Sequence, residues 1–238
     1  MPRIERRLRV ERYAVVDSTM TVAARLARGD SQQAGCEHGT VVVADEQTAG
    51  IGRHGHAWHS ERGTGLYVSI VLRVARPAPV MMLALGLAAR EAIAKTTGLA
   101  PDLRWPNDVL IGGRKCAGIL AQTEGDAVIA GIGINVSQRE FPPEFEATSL
   151  LLEGAGATRE EVLVALIEAV DQFCGKEPGE IRSLFEAASS YARGRRVRVE
   201  ANAIEGVTQG LDPAGFLIVK QDNGEHATIL AGGVRPCF

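Results

Sequence analysis

The chain has 238 residues, 45% of them apolar and 23% charged, with a formal net charge of −3. That suffices for one large domain plus a small one, and the charge balance calls for neither nucleic acid nor a membrane as partner. The four cysteines, Cys36, Cys116, Cys174 and Cys237, form no CxxC pair and no zinc spacing and read as reduced thiols of a cytoplasmic protein; the longest apolar helical run, Val80 to Ala89, is too short to span a bilayer, and the N-terminus lacks the apolar stretch of a signal peptide.

Residues 1–12 carry five arginines broken by Glu5 and Glu11 and read as a solvated leader. A helix-turn-helix domain needs several tens of residues, so none is expected ahead of Tyr13. Tyr13–Val16 reads as a short strand. Asp17-Ser18-Thr19 then leads into a helix over Met20–Arg28 that Gly29 closes. Helix capping alone accounts for that cluster, and hydroxyls at a helix N-terminus are also able to hydrogen-bond a polar ring. Both readings stay open at this point. Thr40–Ala44 is a buried, β-branched strand.

Gly50, Gly52 and Gly55 make a literal G-x-G-x-x-G. A dinucleotide fingerprint needs those glycines directly after a strand and opening a helix, with an acid about 20 residues on. Five residues intervene after the strand here, the stretch beyond Gly55 is not helical, and Val71 and Leu72 stand near the acid's place. The glycines instead read as part of a flexible loop that folds over a ligand. Its backbone N–H groups and Arg53 would meet phosphate, Trp58 offers a flat face to a purine, and Gln47 offers a neutral amide. His54, His56 and His59 lie close together, but a glycine-rich loop is a poor cage, and no metal site is expected.

Gly65–Leu72 is a further strand. Pro79 opens a helix over Val80–Thr97, stopped by Gly98, with its methionine pair in the core. Arg104–Leu120 (RWPNDVLIGGRKCAGIL) reads as an extended arrival at Trp105, a turn at Pro106, and a hairpin around Gly112-Gly113. That hairpin carries Asn107, Asp108 and Lys115, with Gly118 marking close approach of a ligand or another backbone. Ala127–Val136 is an apolar strand with Asn135 at its tip, followed by a polar, Pro-rich loop at 137–149. Helices run from Thr158 to Cys174 and from Pro178 to Ser190. From Arg193 onward, short alternating strands separated by Gly, Asp-Pro and Asn-Gly turns read as a small barrel. A Walker-type hydrolase is excluded for lack of its glycine-lysine motif.

The central stretch resembles the signature of biotin–protein ligases, KWPND, a hairpin, then K-x-A-G-I-L. Trp105, Pro106, Asn107, Asp108, Lys115, Ala117, Gly118, Ile119 and Leu120 match, and Arg104 replaces the usual lysine. The glycine loop is similar to that family's Q-x-x-G-R-G-R-x-G-R-x-W: Gln47, Gly50, Gly52, Arg53, Gly55 and Trp58 match, while Ile51 and His56 replace arginines. Retention of an anionic intermediate is therefore expected to be weaker or more pH-dependent. Ser18-Thr19-Met20 resembles the family's S-T-N element, with Met20 in place of Asn, and Gly133-Ile134-Asn135 its G-I-N element.

The resemblance spans residues 13–236. It implies an α+β fold, with a central mixed β-sheet bearing helices on one face, as in class II synthetases, followed by a small SH3-like β-barrel. The implied divisions are a leader over 1–12, a biotin- and ATP-binding catalytic domain over 13–191 and the barrel over 192–238. The implied reaction makes biotinyl-5′-AMP from biotin and Mg-ATP and then transfers biotin to a lysine of a biotin carboxyl carrier domain. Lys115, Arg53 and Asp108 are the implied catalytic residues. Biotin would meet Ser18, Thr19, Met20, Gln47, Gly50, Ile51, Gly52, Arg53, Lys115 and Gly118. ATP would meet Arg53, His56, Trp58, Asn107, Lys115, Asn135 and Arg235. No DNA or membrane partner is implied. A homodimer through the central sheet is common in that family, and nothing in this sequence singles out an interface. Two readings compete: a lipoate- or octanoate-transferring relative, and a non-catalytic sensor of biotin or its adenylate.

Overall fold

The computed structural model describes residues 9–29, 34–73, 78–143, 145–200 and 204–237; most of the arginine-rich leader lies outside them. The described elements are, in chain order, β1 (Val10–Tyr13), α1 (Thr19–Arg28), β2 (Val41–Ala44), β3 (Gly65–Leu72), α2 (Ala78–Thr97), β4 (Asp102–Arg104), β5 (Asp108–Ile111), β6 (Arg114–Glu124), β7 (Ala127–Asn135), α3 (Arg159–Cys174), α4 (Pro178–Ala188), β8 (Arg193–Val199), β9 (Glu205–Leu211), β10 (Leu217–Gln221), β11 (His226–Ile229) and β12 (Val234–Pro236). The larger sheet has the strand order β1-β2-β3-β7-β6-β5-β4, and the smaller has β11-β10-β9-β8-β12. The larger is mixed, since β1 runs parallel to β2 while β3 and the β4-β5-β6 set pair antiparallel. The chain divides into two compact units, residues 1–75 with 120–134 and residues 76–119 with 135–238.

In the first unit α1 packs on β2 and β3. Its buried face, Met20, Val22, Ala23 and Ala27, joins Val42, Val71, Ala127 and Ile129 in one apolar cluster. The helix begins as its sequence predicts: Ser18 Oγ accepts from the Met20 N–H, and Gly29 closes the other end at φ 67°. Strand β1 differs from expectation, covering Val10–Tyr13 rather than Tyr13–Val16. Strand β2 is only four residues long and spends them on Val10–Tyr13. The chain beyond Tyr13 lies instead beside the segment after β2, through a bridge between Val16 and Gln47.

In the second unit α2 packs on β4 and β5 and against α3 and α4. It is apolar nearly all round, which suits a helix buried on several sides; of the methionine pair expected in the core, Met81 is there at 0% exposure and Met82 is only half-buried. Helix α3 starts with a full capping box, in which Thr158 accepts from the Glu161 N–H and Glu161 accepts from the Thr158 N–H. The small sheet is antiparallel throughout. Its β9–β10 turn is held by Asp212, whose side chain accepts from the Ala214 and Phe216 N–H groups. Trp105 is buried, and its indole N–H donates to the Gly215 carbonyl in that turn at 3.1 Å. The tryptophan of the Trp-Pro-Asn-Asp stretch is thus a tie to the small sheet.

Candidate functional site

The first group of predicted residues assembles within the first unit. Past Tyr13 the chain hydrogen-bonds to the stretch after β2 (Val16 N–H to Glu46 O, Thr48 N–H to Val16 O, Ala49 N–H to Asp17 O). This delivers the N-terminus of α1 beside Gln47. There the Thr19 backbone N–H and hydroxyl both donate to Gln47 Oε1, at 2.8 and 3.1 Å. Gln47 Nε2 donates to Ser60 Oγ at 2.7 Å, and Ser60 donates to the Trp58 carbonyl at 3.1 Å. Behind Thr19, Ser69 donates to Thr19 Oγ1 at 2.9 Å. Ser18, Thr19, Ser60 and Ser69 are all buried, and Ser18 caps α1 as the helix-capping reading expects. Gly50 is where this array needs room: a Cβ there would stand 2.4 Å from the Trp58 carbonyl oxygen, 2.8 Å from Ser60 Oγ and 3.0 Å from Gln47 Nε2. Met20 does not join. It points into the core, against the bare backbone of Gly131, where a Cβ would come within 2.6 Å of its sulfur.

The glycine loop closes on itself. Gly52 N–H donates to His56 O at 2.7 Å, His56 N–H to Arg53 O at 3.0 Å and Trp58 N–H to Gly50 O at 2.9 Å, with a bridge between Ile51 and Ala57. A single 3₁₀ turn at Arg53–Gly55 forms its tip, and His54 there has left-handed backbone, φ 55°. Gly52 permits the tight closure, since a Cβ would lie 2.8 Å from the His56 carbonyl oxygen. Ile51 and His56 are exposed and Arg53 is half-buried. The Trp58 indole lies against Gly133, whose missing side chain makes the space: a Cβ there would be 2.4 Å from Trp58 Cε2. Among the described residues no group of three or more His, Cys, Asp or Glu side chains stands together in a metal-binding arrangement.

The second group assembles on the hairpin of the second unit. Gly112 and Gly113 both take positive φ, 57° and 80°, as a two-residue primed turn requires. The ladder is not regular, however. Asp108 pairs with Gly118 and Val109 with Ala117, but Leu110 pairs with Lys115, so Cys116 is an extra residue in a β-bulge. A regular ladder running back from the two-residue turn would set Ala117 opposite Asp108; the bulge brings Gly118 there instead, while Lys115, opposite Leu110, stays on the Asp108 face. From that face Lys115 Nζ reaches Asp108 Oδ1 at 2.5 Å. Asp108 Oδ2 accepts from Arg104 Nη2 at 2.8 Å and Nε at 3.3 Å. Burial would raise the Asp108 pKa, but Lys115 and Arg104 outweigh it and hold the carboxyl below its ordinary value. Both its oxygens face cations, an arrangement for orienting charge more than for accepting a proton. Burial pushes the neighbouring Cys116 thiol up to about 12, leaving it inert. Asn107 binds the returning strand, its Nδ2 donating to Ile119 O and its carbonyl accepting from the Ile119 N–H. Gly118, opposite Asp108, sets no side chain over the carboxylate's cross-strand position.

The backbone of Lys115 is fixed from its other edge by the Pro-rich segment. Lys115 N–H donates to Glu146 O at 2.7 Å and Thr148 N–H to Lys115 O at 2.9 Å. The buried Asn135 amide donates to Thr148 O at 3.0 Å, and so holds that segment rather than standing clear at a strand tip. Arg235 on β12 pairs with Glu200 at 2.6 Å and with Glu146 at 3.6 Å.

Three features escaped the sequence reading. Arg104 stood out only as a replacement, although it is 4% exposed and carries half the partnership of Asp108. Ser69 is the serine within GLYVSIVL, and a hydroxyl in a strand buried on every residue is the signal that finds it. The bulge at Cys116 has no signature in the sequence.

The chain matches the Biotin/lipoate A/B protein ligase family over residues 13–138 and the Biotin protein ligase C terminal domain over residues 194–234. It is 33% identical over 234 residues to the Bifunctional ligase/repressor BirA of Bacillus subtilis, covering 89% of this chain and 69% of that protein. It is 33% identical over 211 residues to the Biotin–[acetyl-CoA-carboxylase] ligase of Mycobacterium tuberculosis, covering 82% and 77%. Among solved structures it is similar to the biotin protein ligase of Aquifex aeolicus in complex with biotin and ATP, with a TM-score of 0.83 and 32% identity over 96% of this chain and 99% of that one.

Proposed function

The chain belongs to the biotin/lipoate A/B protein ligase family, and from that premise we propose that it is a biotin–protein ligase, converting biotin and Mg-ATP to biotinyl-5′-AMP and transferring the biotinyl group to a lysine of a biotin carboxyl carrier domain. The observation that carries the reading is Lys115 on the bulged hairpin, its ammonium on Asp108 and the second oxygen of that carboxylate taken by Arg104. One carboxylate between two cations leaves the cluster net positive. That is what a reaction between two anions needs where negative charge develops. The match to the C-terminal domain of biotin protein ligases favours biotin over lipoate.

In the first half-reaction a biotin carboxylate oxygen attacks the α-phosphorus and pyrophosphate leaves. In this reading Lys115 meets the charge at that junction, Arg53 supplies a second cation, and Trp58 and Asn135 serve the nucleotide. Thr19 and Gln47 take the ureido ring. In the second half-reaction an acceptor amine attacks the acyl carbon and AMP leaves. With both oxygens of Asp108 engaged, that residue orients groups, and the amine's proton passes to the departing AMP phosphate or to water. Magnesium would come with the triphosphate, a common mode in which the protein adds one or two carboxylates at most. Residues 13–191 carry this work and 192–238 form the small C-terminal domain, with Arg235 approaching the nucleotide. No helix among the described residues is long and apolar enough to cross a membrane.

Incubation of the protein with Mg-ATP and either biotin or lipoate, without acceptor, tests this by mass spectrometry. Biotinyl-AMP is expected from biotin only, and Lys115→Ala is expected to slow its formation by about 10²–10³. Lipoyl-AMP would move the chain to the lipoate branch, and no adenylate despite biotin binding would make it a sensor.

A further inference from the structure

The hydroxyl of Ser69 is wholly buried in the apolar strand β3, and a buried hydroxyl is costly unless paired. The array around Gln47 that it joins has a single set of proton directions. The Thr19 backbone N–H can only donate, and it donates to Gln47 Oε1 at 2.8 Å. That fixes the amide with its oxygen toward Thr19 and its nitrogen toward Ser60. The Thr19 hydroxyl, 3.1 Å from the same oxygen, must also donate to it. Its proton spent, Thr19 Oγ1 accepts from Ser69 at 2.9 Å. At the other end Gln47 Nε2 donates to Ser60, which passes its own proton to the Trp58 carbonyl. The array therefore keeps in reserve one amide N–H on Gln47 and one lone pair on Thr19. That donor and acceptor, side by side, complement the adjacent C=O and N–H of a cyclic urea.

We propose that Ser69, acting from behind Thr19, is a positioning residue that holds the Thr19 hydroxyl in this polarity, with Ser60 doing the same for the Gln47 amide, so that the array selects a ureido ring. The inference rests on the ligase reading. Without the Ser69 hydroxyl Thr19 Oγ1 still donates to Gln47 Oε1 but loses the donor on its other side, so the lone pair it offers a ligand N–H is no longer held in direction.

Biotin-dependent exchange of labelled pyrophosphate into ATP reads this out on the full chain. Ser69→Ala is expected to raise the half-saturating biotin concentration about tenfold, the loss of one buried hydrogen bond. The maximal rate and the half-saturating ATP concentration should stay within about twofold, as for a loss confined to ground-state binding. Ser69→Thr, which keeps the hydroxyl, should recover most of the loss, and Ser60→Ala should reproduce it. Unchanged half-saturation in both alanine variants overturns the inference. So does an equal loss for biotin and ATP, which marks a merely structural role. A wild-type protein that supports no biotin-dependent exchange overturns the ligase reading as well, whereas normal wild-type exchange with unaffected variants removes only the inference.

Discussion

Arg104→Met tests the hairpin cluster. Arg104 is 4% exposed, and its guanidinium donates twice to Asp108 Oδ2. Breaking a buried ion pair by removing one partner costs about 3–5 kcal/mol. The other oxygen of Asp108 stays on Lys115, which points to the low end, about 3 kcal/mol. For a chain of this size that is a fall of roughly 6–12 °C in melting temperature. The chemistry should suffer separately, because Asp108 and Lys115 then neutralise each other and the cluster loses its surplus charge. Since Arg104 acts through Lys115, adenylate formation should slow by about tenfold, less than the 10²–10³ typical of a direct contact. Arg104→Lys keeps the charge but not the two-donor fork, and should fall between. Thermal unfolding by circular dichroism and the rate of adenylate formation are the assays. A variant melting within about 2 °C of wild type, with its rate intact, would refute the claim that this pair organises the hairpin.

Asp108, held below its ordinary 3.8, contributes stability that is complete above about pH 4 and lost as pH falls through the lower folded value. Asp108→Asn should therefore cost most at neutral pH, and its deficit against wild type should shrink below about pH 4 in urea titrations; a deficit constant down to pH 2 contradicts the assignment. Gly133→Ala puts a methyl where Trp58 Cε2 lies 2.4 Å away, so the indole must move. Its fluorescence should shift to the red while the buried Trp105 is unaffected, and ATP affinity should fall about tenfold if Trp58 serves the purine.

Much of this architecture is legible in the residues. Ser18 and Gly29 bound α1, Thr158 and Glu161 start α3, and Gly112-Gly113 turn the hairpin, because each supplies a local hydrogen bond or dihedral that few residue types can provide. The features that stay hidden depend on register. β1 is displaced toward the N-terminus because a four-residue partner determines which residues pair, and no local preference among Val10–Val16 reveals that. The bulge at Cys116 is of the same kind: read as a regular hairpin, the sequence sets Ala117 rather than Gly118 opposite Asp108. The polar array shows the converse case. Thr19 and Gln47 are visible through resemblance, but Ser60 and Ser69 become meaningful only once β3 lies behind α1 and the loop returns past Gly50.

The glycine loop explains why Ile51 and His56 can stand where arginines are usual. Its shape is made by backbone bonds, Gly52 N–H to His56 O, His56 N–H to Arg53 O and Trp58 N–H to Gly50 O, and by the missing Cβ of Gly52. The exposed side chains at 51 and 56 take no part in it. Substitution there alters charge without altering form. Restoring both charges, as Ile51→Arg with His56→Arg, should leave the melting temperature within about 2 °C of wild type. Each added charge near an anionic adenylate is worth about 0.5–1 kcal/mol in a water-like dielectric, so release of biotinyl-AMP should slow about five- to thirtyfold at low ionic strength. The effect should fade in about 1 M salt, where screening acts within 3 Å. Release followed by fluorescence at both ionic strengths separates the cases. Slower release that ignores salt would mean that the arginines act by packing, and unchanged release at low salt would mean that the loop's charge does not hold the intermediate at all.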